Sequence, residues 1–242
     1  MRIPRFFYPD IIPVDQEFAL AAEAAHHAST VLRLKANQRI VLFNGDGNEY
    51  SGQIISVSRK EVIVEMDACL SVSTESALPL HLGQGISKGD RMDTVLQKSV
   101  ELGVTQITPL LTERCTVKLD EKRWEKKFAQ WQKIIIGACE QSGRNIVPVL
   151  NPIQTLNAFI ATSTNEHRLI LSPGATTPFG RTPYCSQGYR LIIGPEGGLT
   201  ESEVHHAGEC GYNPASMGPR ILRTETAAIT SLSVLQALHG DL

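Results

Sequence analysis

The chain has 242 residues, 42% hydrophobic and 20% charged, with a formal net charge of −2. That is enough for a real core in one large domain or two smaller ones. No run approaches the roughly 18 apolar residues of a bilayer span, the amino-terminal Met-Arg-Ile-Pro-Arg-Phe-Phe-Tyr lacks a signal-peptide layout, and the charge is not that of a simple electrostatic nucleic-acid binder.

The five cysteines (Cys69, Cys115, Cys139, Cys185, Cys210) are scattered and form no C-x-x-C pair, which indicates neither a disulfide framework nor a zinc module. The expected setting is a reducing cytoplasm, with no membrane and no metal. An RNA partner, if there is one, has to meet a local basic patch.

The first seventy residues read as short strands. A helix is expected between Glu17 and Leu34, where alanines cluster. Arg39–Phe43 is β-branched and apolar, and Asn44-Gly45-Asp46-Gly47 is a hairpin turn signal. Tyr50–Val57 and Glu61–Met66 follow as strands, with Val62, Val64 and Met66 alternating against charges. The pattern predicts a small β-barrel-like domain over 1–70. Residues 71–79, rich in Ser and Thr and closing on Pro79, read as a linker.

From residue 80 to 242 strands and helices alternate, which predicts a parallel sheet covered by helices. Strands are expected at Leu80–Ile86, Ile107–Leu111, Arg168–Leu171 and Arg190–Ile193. Helices are expected at Asp90–Leu102, stopped by Gly103, at Glu121–Cys139, at Thr200–Cys210 behind a Thr200-x-x-Glu203 capping box, and at Thr224–Leu238. Trp124, Phe128, Trp131 and Ile135 recur at helical spacing and read as a core or interface stripe. The basic run Lys118, Lys122, Arg123, Lys126, Lys127 reads as a solvated helix face.

Neither a dinucleotide fingerprint nor a P-loop nor a G-x-S-x-G elbow is present. The adjacent pairs His26-His27 and His205-His206 lack the i, i+4 spacing of a helical metal site and read as surface residues. What remains is glycine-rich backbone after strands. Leu191-Ile-Ile-Gly-Pro-Glu-Gly-Gly-Leu-Thr200 and Met217-Gly-Pro-Arg-Ile-Leu-Arg-Thr-Glu-Thr226 are two Gly-Pro elbows, each leading into a helix. Such loops bring a ligand close to bare backbone, and two of them suggest one crevice at the carboxyl ends of parallel strands.

These two motifs resemble the carboxyl-terminal motifs of the SPOUT methyltransferases. Arg2-Ile-Pro-Arg-Phe-Phe7, Gln97-Lys-Ser-Val-Glu-Leu-Gly-Val104, Glu113-Arg-Cys115 and Glu140-Gln-Ser-Gly-Arg-Asn145 extend the resemblance to the RsmE family over nearly the whole chain. That family methylates N3 of a specific uridine in 16S ribosomal RNA of the small subunit. The resemblance implies a PUA-like β-barrel over 1–70, followed by an α/β domain over 80–242 with a parallel sheet and a deep trefoil knot. General rules of chain topology would not suggest the knot.

The resemblance also implies a homodimer that binds S-adenosylmethionine. Adenosine would be held by backbone of Leu171, Ser172 and Pro173, of Ile193, Gly194, Pro195, Glu196, Gly197 and Gly198, and of Met217, Gly218, Pro219, Arg220, Ile221 and Leu222. Met217 stands where leucine is expected most often in the family; both are apolar.

Uridine N3 becomes nucleophilic only as its proton leaves, so the reaction needs a base, or cations beside O2 and O4 that stabilise the imide anion. Arg144, Arg220 and Arg223 are the candidate cations, Arg144 in a segment that in such a dimer could complete the opposite site. Glu196 and Glu225 are the candidate bases; a brace near the helix at Thr200 and a dipole-favoured first-turn glutamate are their alternative roles. Arg2 and Arg5, beside Phe6, Phe7 and Tyr8, could meet RNA by charge and stacking, or the rings could fill the barrel core. A non-catalytic RNA-binding protein and a Rossmann-type oxidoreductase are the competing functional classes, the second opposed by the missing fingerprint.

Overall fold

A computed structural model of the chain describes residues 3–58, 61–117 and 120–242. Arg2 and Lys118 therefore lie outside the described residues. Two compact units are present. One comprises residues 1–75 and 139–147, the other 76–138 and 148–242.

The first unit is a five-stranded sheet. β1 (Arg5–Phe7) lies parallel to β3 (Arg39–Phe43), and β3, β4 (Glu49–Val57), β5 (Val62–Leu70) and β2 (Glu17–Ala19) continue antiparallel, in the order β1-β3-β4-β5-β2. The alternation of Val62, Val64 and Met66 puts all three into a core shared with Phe6, Ile40, Leu42 and Ile54. The Asn44–Gly47 turn closes the hairpin through side chains: Asn44 Oδ1 accepts from Asp46 N at 3.1 Å and Asp46 Oδ1 from Asn48 N at 2.8 Å.

The helix expected from Glu17 to Leu34 is shorter than that span. Its first residues form β2, because Glu17–Ala19 pair with Ile63–Glu65 and Phe18 packs on the core. Only Ala22–His26 (α1) is α-helical. It then widens into a π-type turn over His27–Val31, where Leu32 N reaches back to His27 O. Residues 71–79 carry no helix or strand.

A segment from far along the chain completes this unit. Glu140 Oε1 accepts from Phe7 N (3.0 Å), and Asn145 Nδ2 donates to Val72 O (2.7 Å).

The second unit is built on parallel strands β6 (Leu80–Gly85), β7 (Gln106–Leu111), β8 (Val149–Leu150), β9 (Gln154–Thr155), β10 (His167–Leu171), β11 (Tyr189–Ile193) and β12 (Asn213–Ala215). The order is β12-β10-β11-β6-β7-β8, with β9 beside β7. Every residue of β6 and β11 is buried, as expected of parallel strands covered on both faces.

The covering helices are α2 (Asp90–Glu101), α3 (Glu121–Ser142), α4 (Leu156–Ala161), α5 (Glu201–Glu209) and α6 (Thr224–His239). Residues of α3 from Cys139 onward group with the first unit. Trp131 and Ile135 of α3 are buried while Trp124 and Phe128 are part-buried, as a core or interface stripe requires. Lys122, Arg123 and Lys126 are exposed, and Lys127 pairs with Asp93 at 3.4 Å. Strands β8, β9 and β12 and helix α4 lie outside the sequence expectations. Two or three residues carry no readable period, and Pro214 argues against a strand except at an edge, which is where β12 lies.

A crevice at the carboxyl edge of the parallel sheet

Because β6, β10, β11 and β12 are adjacent and parallel, they end at one edge, at Gly85, Leu171, Ile193 and Ala215. The loops that follow contain all three segments expected to hold a cofactor, and hydrogen bonds tie them together. Ser172 N donates to Ala215 O at 3.0 Å, and Phe179 N and Ser216 N bond Ser216 O and Thr177 O, joining the loops after β10 and β12. Thr224 Oγ donates to Gly194 O at 2.7 Å and accepts from Gln84 Nε2 at 2.9 Å, joining the loop before α6 to the loop after β11. Gly85 makes this packing possible: a Cβ there would lie 2.5 Å from Pro195 N. Thr224, toward the end of the second Gly-Pro motif, thus meets Gly194 of the first.

Two arginines, unassigned at the sequence level, strap the loop after β11. Arg91 Nη1 (2.7 Å) and Lys88 N (2.8 Å) both donate to Glu196 Oε1. Burial pushes the Glu196 pKa up, but bonds from its own N–H, from Arg91 and from Lys88 outweigh that, and the group titrates below the usual glutamate range. Arg114 Nη1 donates to Gly197 O (3.0 Å) and Leu199 O (3.3 Å). The capping box forms as expected: Glu203 N donates to Thr200 Oγ and Thr200 N to Glu203 Oε2. The second oxygen of Glu203 accepts from Glu113 N at 2.8 Å, which fixes the loop after β7 to the start of α5. Arg114 carried a signal only as part of a quoted motif. Arg91 carried little more than a cation where a helix start prefers acids.

The other expected site residues divide between the two units. Gly218, Pro219, Arg220 and Ile221 are consecutive exposed residues, Arg223 is exposed, and among the described residues the side chain of neither arginine has a hydrogen-bond or ion-pair partner. Glu225 stands in the first turn of α6 with Oε2 buried and without a partner, and buried Gln84 leaves its Oε1 in the same condition.

Arg144 lies in the first unit. Its side chain is 5% exposed and it donates through Nε (2.8 Å) and Nη2 (2.6 Å) to Glu75 Oε2. Arg5, also in the first unit, is 9% exposed and bonded to Glu49 (2.7 Å) and Asn145 Oδ1 (2.5 Å), so its charge is spent inside the fold. Phe6 fills the core and Tyr8 packs against it.

A cleft of about 600 Å³ opens beside α5, lined by Ser172, Leu199, Thr200, Val204, His205 and Pro214 among others. It shares Ser172 with the expected cofactor segments and adjoins them at Leu199. Among the described residues no group of three His, Cys, Asp or Glu is placed to hold a metal ion, and no helix is long and apolar enough to cross a membrane.

The loops fit a nucleoside cofactor in two respects. Gly218, at φ +72°, has open space where a Cβ would stand, so its backbone is bare to a ligand. The orphaned acceptor of Gln84 lacks a donor that a ligand could supply.

A crevice at the carboxyl ends of parallel strands is where α/β proteins bind ligands, and the relatives of this chain give its class. Residues 74–236 match the family model of an RNA methyltransferase domain, and residues 20–67 that of an RNA methyltransferase PUA domain. The chain is 36% identical to ribosomal RNA small subunit methyltransferase E of Buchnera aphidicola, covering 100% of this chain and 98% of that one. Among solved structures, ribosomal RNA small subunit methyltransferase E from Neisseria gonorrhoeae bound to S-adenosyl methionine is 39% identical with a TM-score of 0.93, and a Legionella pneumophila protein in complex with the cofactor SAM is 46% identical with a TM-score of 0.97; each pair is covered over 100% of both chains. The chain belongs to the ribosomal RNA small subunit methyltransferase E family.

Proposed function

We propose that this protein methylates N3 of a uridine in the 16S ribosomal RNA of the small subunit, using S-adenosylmethionine bound in the crevice between Leu171–Pro173, Ile193–Gly198 and Met217–Leu222. The observation that carries the reading is the convergence of these loops, pinned where Thr224 meets Gly194. Bound there, S-adenosylmethionine supplies a methyl group already activated by its sulfonium.

The chain's own residues then have to orient the base and take up a proton. Arg220 and Arg223, whose side chains have no partner among the described residues, are suited to stabilising the imide anion through O2 or O4. Glu225, with a buried unsatisfied oxygen, is the proton acceptor. Glu196, whose Oε1 is taken by Arg91 and Lys88 and whose pKa is depressed, is the brace of its loop. Arg144, committed to Glu75, holds its own segment.

In the same reading the loops form the wall of a trefoil knot, the first unit closes as a PUA-like barrel that recruits RNA with Arg2, and the enzyme works as a cytoplasmic homodimer with domain boundaries at 1–70 and 80–242. The test is incubation with radiolabelled S-adenosylmethionine and unmethylated small ribosomal subunits, then mapping of the labelled nucleotide. Label at N3 of one 16S uridine is expected; no transfer, or label on another atom, refutes the assignment.

A further inference from the structure

Isoleucine 221 is out of place for its chemistry. It is 85% exposed, as open as Ile11 at 88%, whereas Ile192, Ile193 and Ile170 on the nearby strands are buried. Its backbone is not loose, because the loop is pinned at both ends: Ser216 bonds Thr177 and Phe179, and Thr224 bonds Gly194 and Gln84. The tip Gly218–Ile221 is thus held out from the carboxyl edge as one exposed stretch. Arg220 and Arg223 flank the isoleucine, both exposed and with side chains that have no partner among the described residues. An apolar tip between two free cations suits neither a folded core nor a purely electrostatic surface. It matches what a nucleic acid offers at an opened base step, an apolar gap beside carbonyl oxygens such as O2 and O4.

We propose that Ile221 is the wedge that enters the RNA stack as the target nucleotide leaves it, its place between Arg220 and Arg223 bringing it up to the base whose O2 or O4 those arginines meet. This rests on the reading of the crevice as a methyl-transfer site, and it assigns the Ile221 side chain to RNA while its backbone remains on the cofactor side. A base cannot reach an activated methyl group from within a stack, so unstacking has to be driven, and an inserted apolar side chain is a known means. Ile221 is accordingly a positioning residue, acting through the geometry of the RNA.

The test compares the full-length wild type with Ile221→Ala and Ile221→Met. Methyl transfer to unmethylated small ribosomal subunits at saturating cofactor should fall at least tenfold in kcat/KM for Ile221→Ala and recover substantially in Ile221→Met. Cofactor affinity by calorimetry, melting temperature and sedimentation mass should not change. An RNA fragment carrying 2-aminopurine next to the methylated nucleotide should brighten with wild type and stay dim with Ile221→Ala.

Unchanged kcat/KM together with full brightening in the alanine variant overturns the proposal. A changed sedimentation mass overturns it in favour of a second copy of the chain as the occupant, and a lost cofactor affinity in favour of a pocket wall. If the wild type itself transfers no methyl group, the functional reading fails and the wedge with it; if it does and Ile221→Ala matches it, only the wedge fails.

Discussion

Glu196 and Glu225 occupy the same crevice wall yet carry opposite demands. A useful base keeps a lone pair free and a pKa near the working pH. Glu196 has one oxygen engaged by Arg91 and Lys88 and is held below the glutamate range, whereas Glu225 keeps a buried oxygen unsatisfied. Replacing Glu225 with Gln should lower kcat about 100-fold or more while cofactor affinity holds, as loss of a general base does. Replacing Glu196 with Gln should leave kcat within a few-fold of wild type and weaken cofactor binding instead. Single-turnover methyl transfer and calorimetry on the two variants decide the matter; a reversed pattern would make Glu196 the base. The pH sign follows from the depressed pKa. The Glu196 brace is complete above the ordinary glutamate range and is lost as pH falls through its lower folded value. Cofactor affinity should therefore weaken on acidification, and less so in Glu196→Gln.

Among elements, the loop after β11 is held by straps from other segments as well as by its own Gly198 N–Pro195 O bond. Thr224 is the most economical of these, donating to Gly194 and accepting from Gln84 with one hydroxyl. Thr224→Val preserves volume and removes both bonds, so it should destabilise the protein by about 2 kcal/mol, since buried partners are left unsatisfied, and should weaken cofactor binding. Urea unfolding and calorimetry measure the two effects; a loss of stability without a loss of affinity would separate the strap from the site. Arg144 poses the same question in the first unit. Truncating it to Ala leaves Glu75 nearly buried without that partner, and roughly 3 kcal/mol of destabilisation is expected. Glu75→Gln should cost less if the pair is structural.

Sequence carried the long elements well. Apolar runs, the capping box at Thr200 and the Gly-Pro elbows each have a local cause, so β6, β11, α5 and α6 were readable. What local pattern could not carry was partnership. Glu17–Ala19 become a strand only because β5 offers an edge, and Arg144 and Arg5 look like free cations until Glu75, Glu49 and Asn145 arrive from distant segments. Arg91 and Arg114 became visible as straps only when three loops met in space.

At the scale of the whole molecule, catalysis and acid stability have separate seats. The second unit places Lys88, Arg114, Arg220 and Arg223 in loops that follow the carboxyl ends of its strands or precede α6, with Arg91 in the first turn of α2. At the amino ends of the same strands lies a different group. His81, near the start of β6, is buried with Nε2 2.8 Å from Thr108 Oγ and its ring edge-on to Phe159. Burial first, and the charge of Arg190 second, push its pKa down to about 3. Above about pH 6.5, the ordinary histidine value, the ring is neutral whether the chain is folded or not, and His81 adds no pH dependence. Below that value the unfolded chain takes up a proton that the folded one refuses. Stability should then fall by up to about 1.4 kcal/mol per pH unit until the folded pKa is reached. His81→Gln removes this contribution, so the difference in unfolding free energy between wild type and variant should shift steadily in the variant's favour from pH 7 to pH 4. Methyl transfer at pH 7.5 should stay close to wild type, because the crevice lies at the opposite ends of the strands. Parallel stability curves for the two proteins would show that His81 is protonated in the fold and that the refusal of the proton is not real.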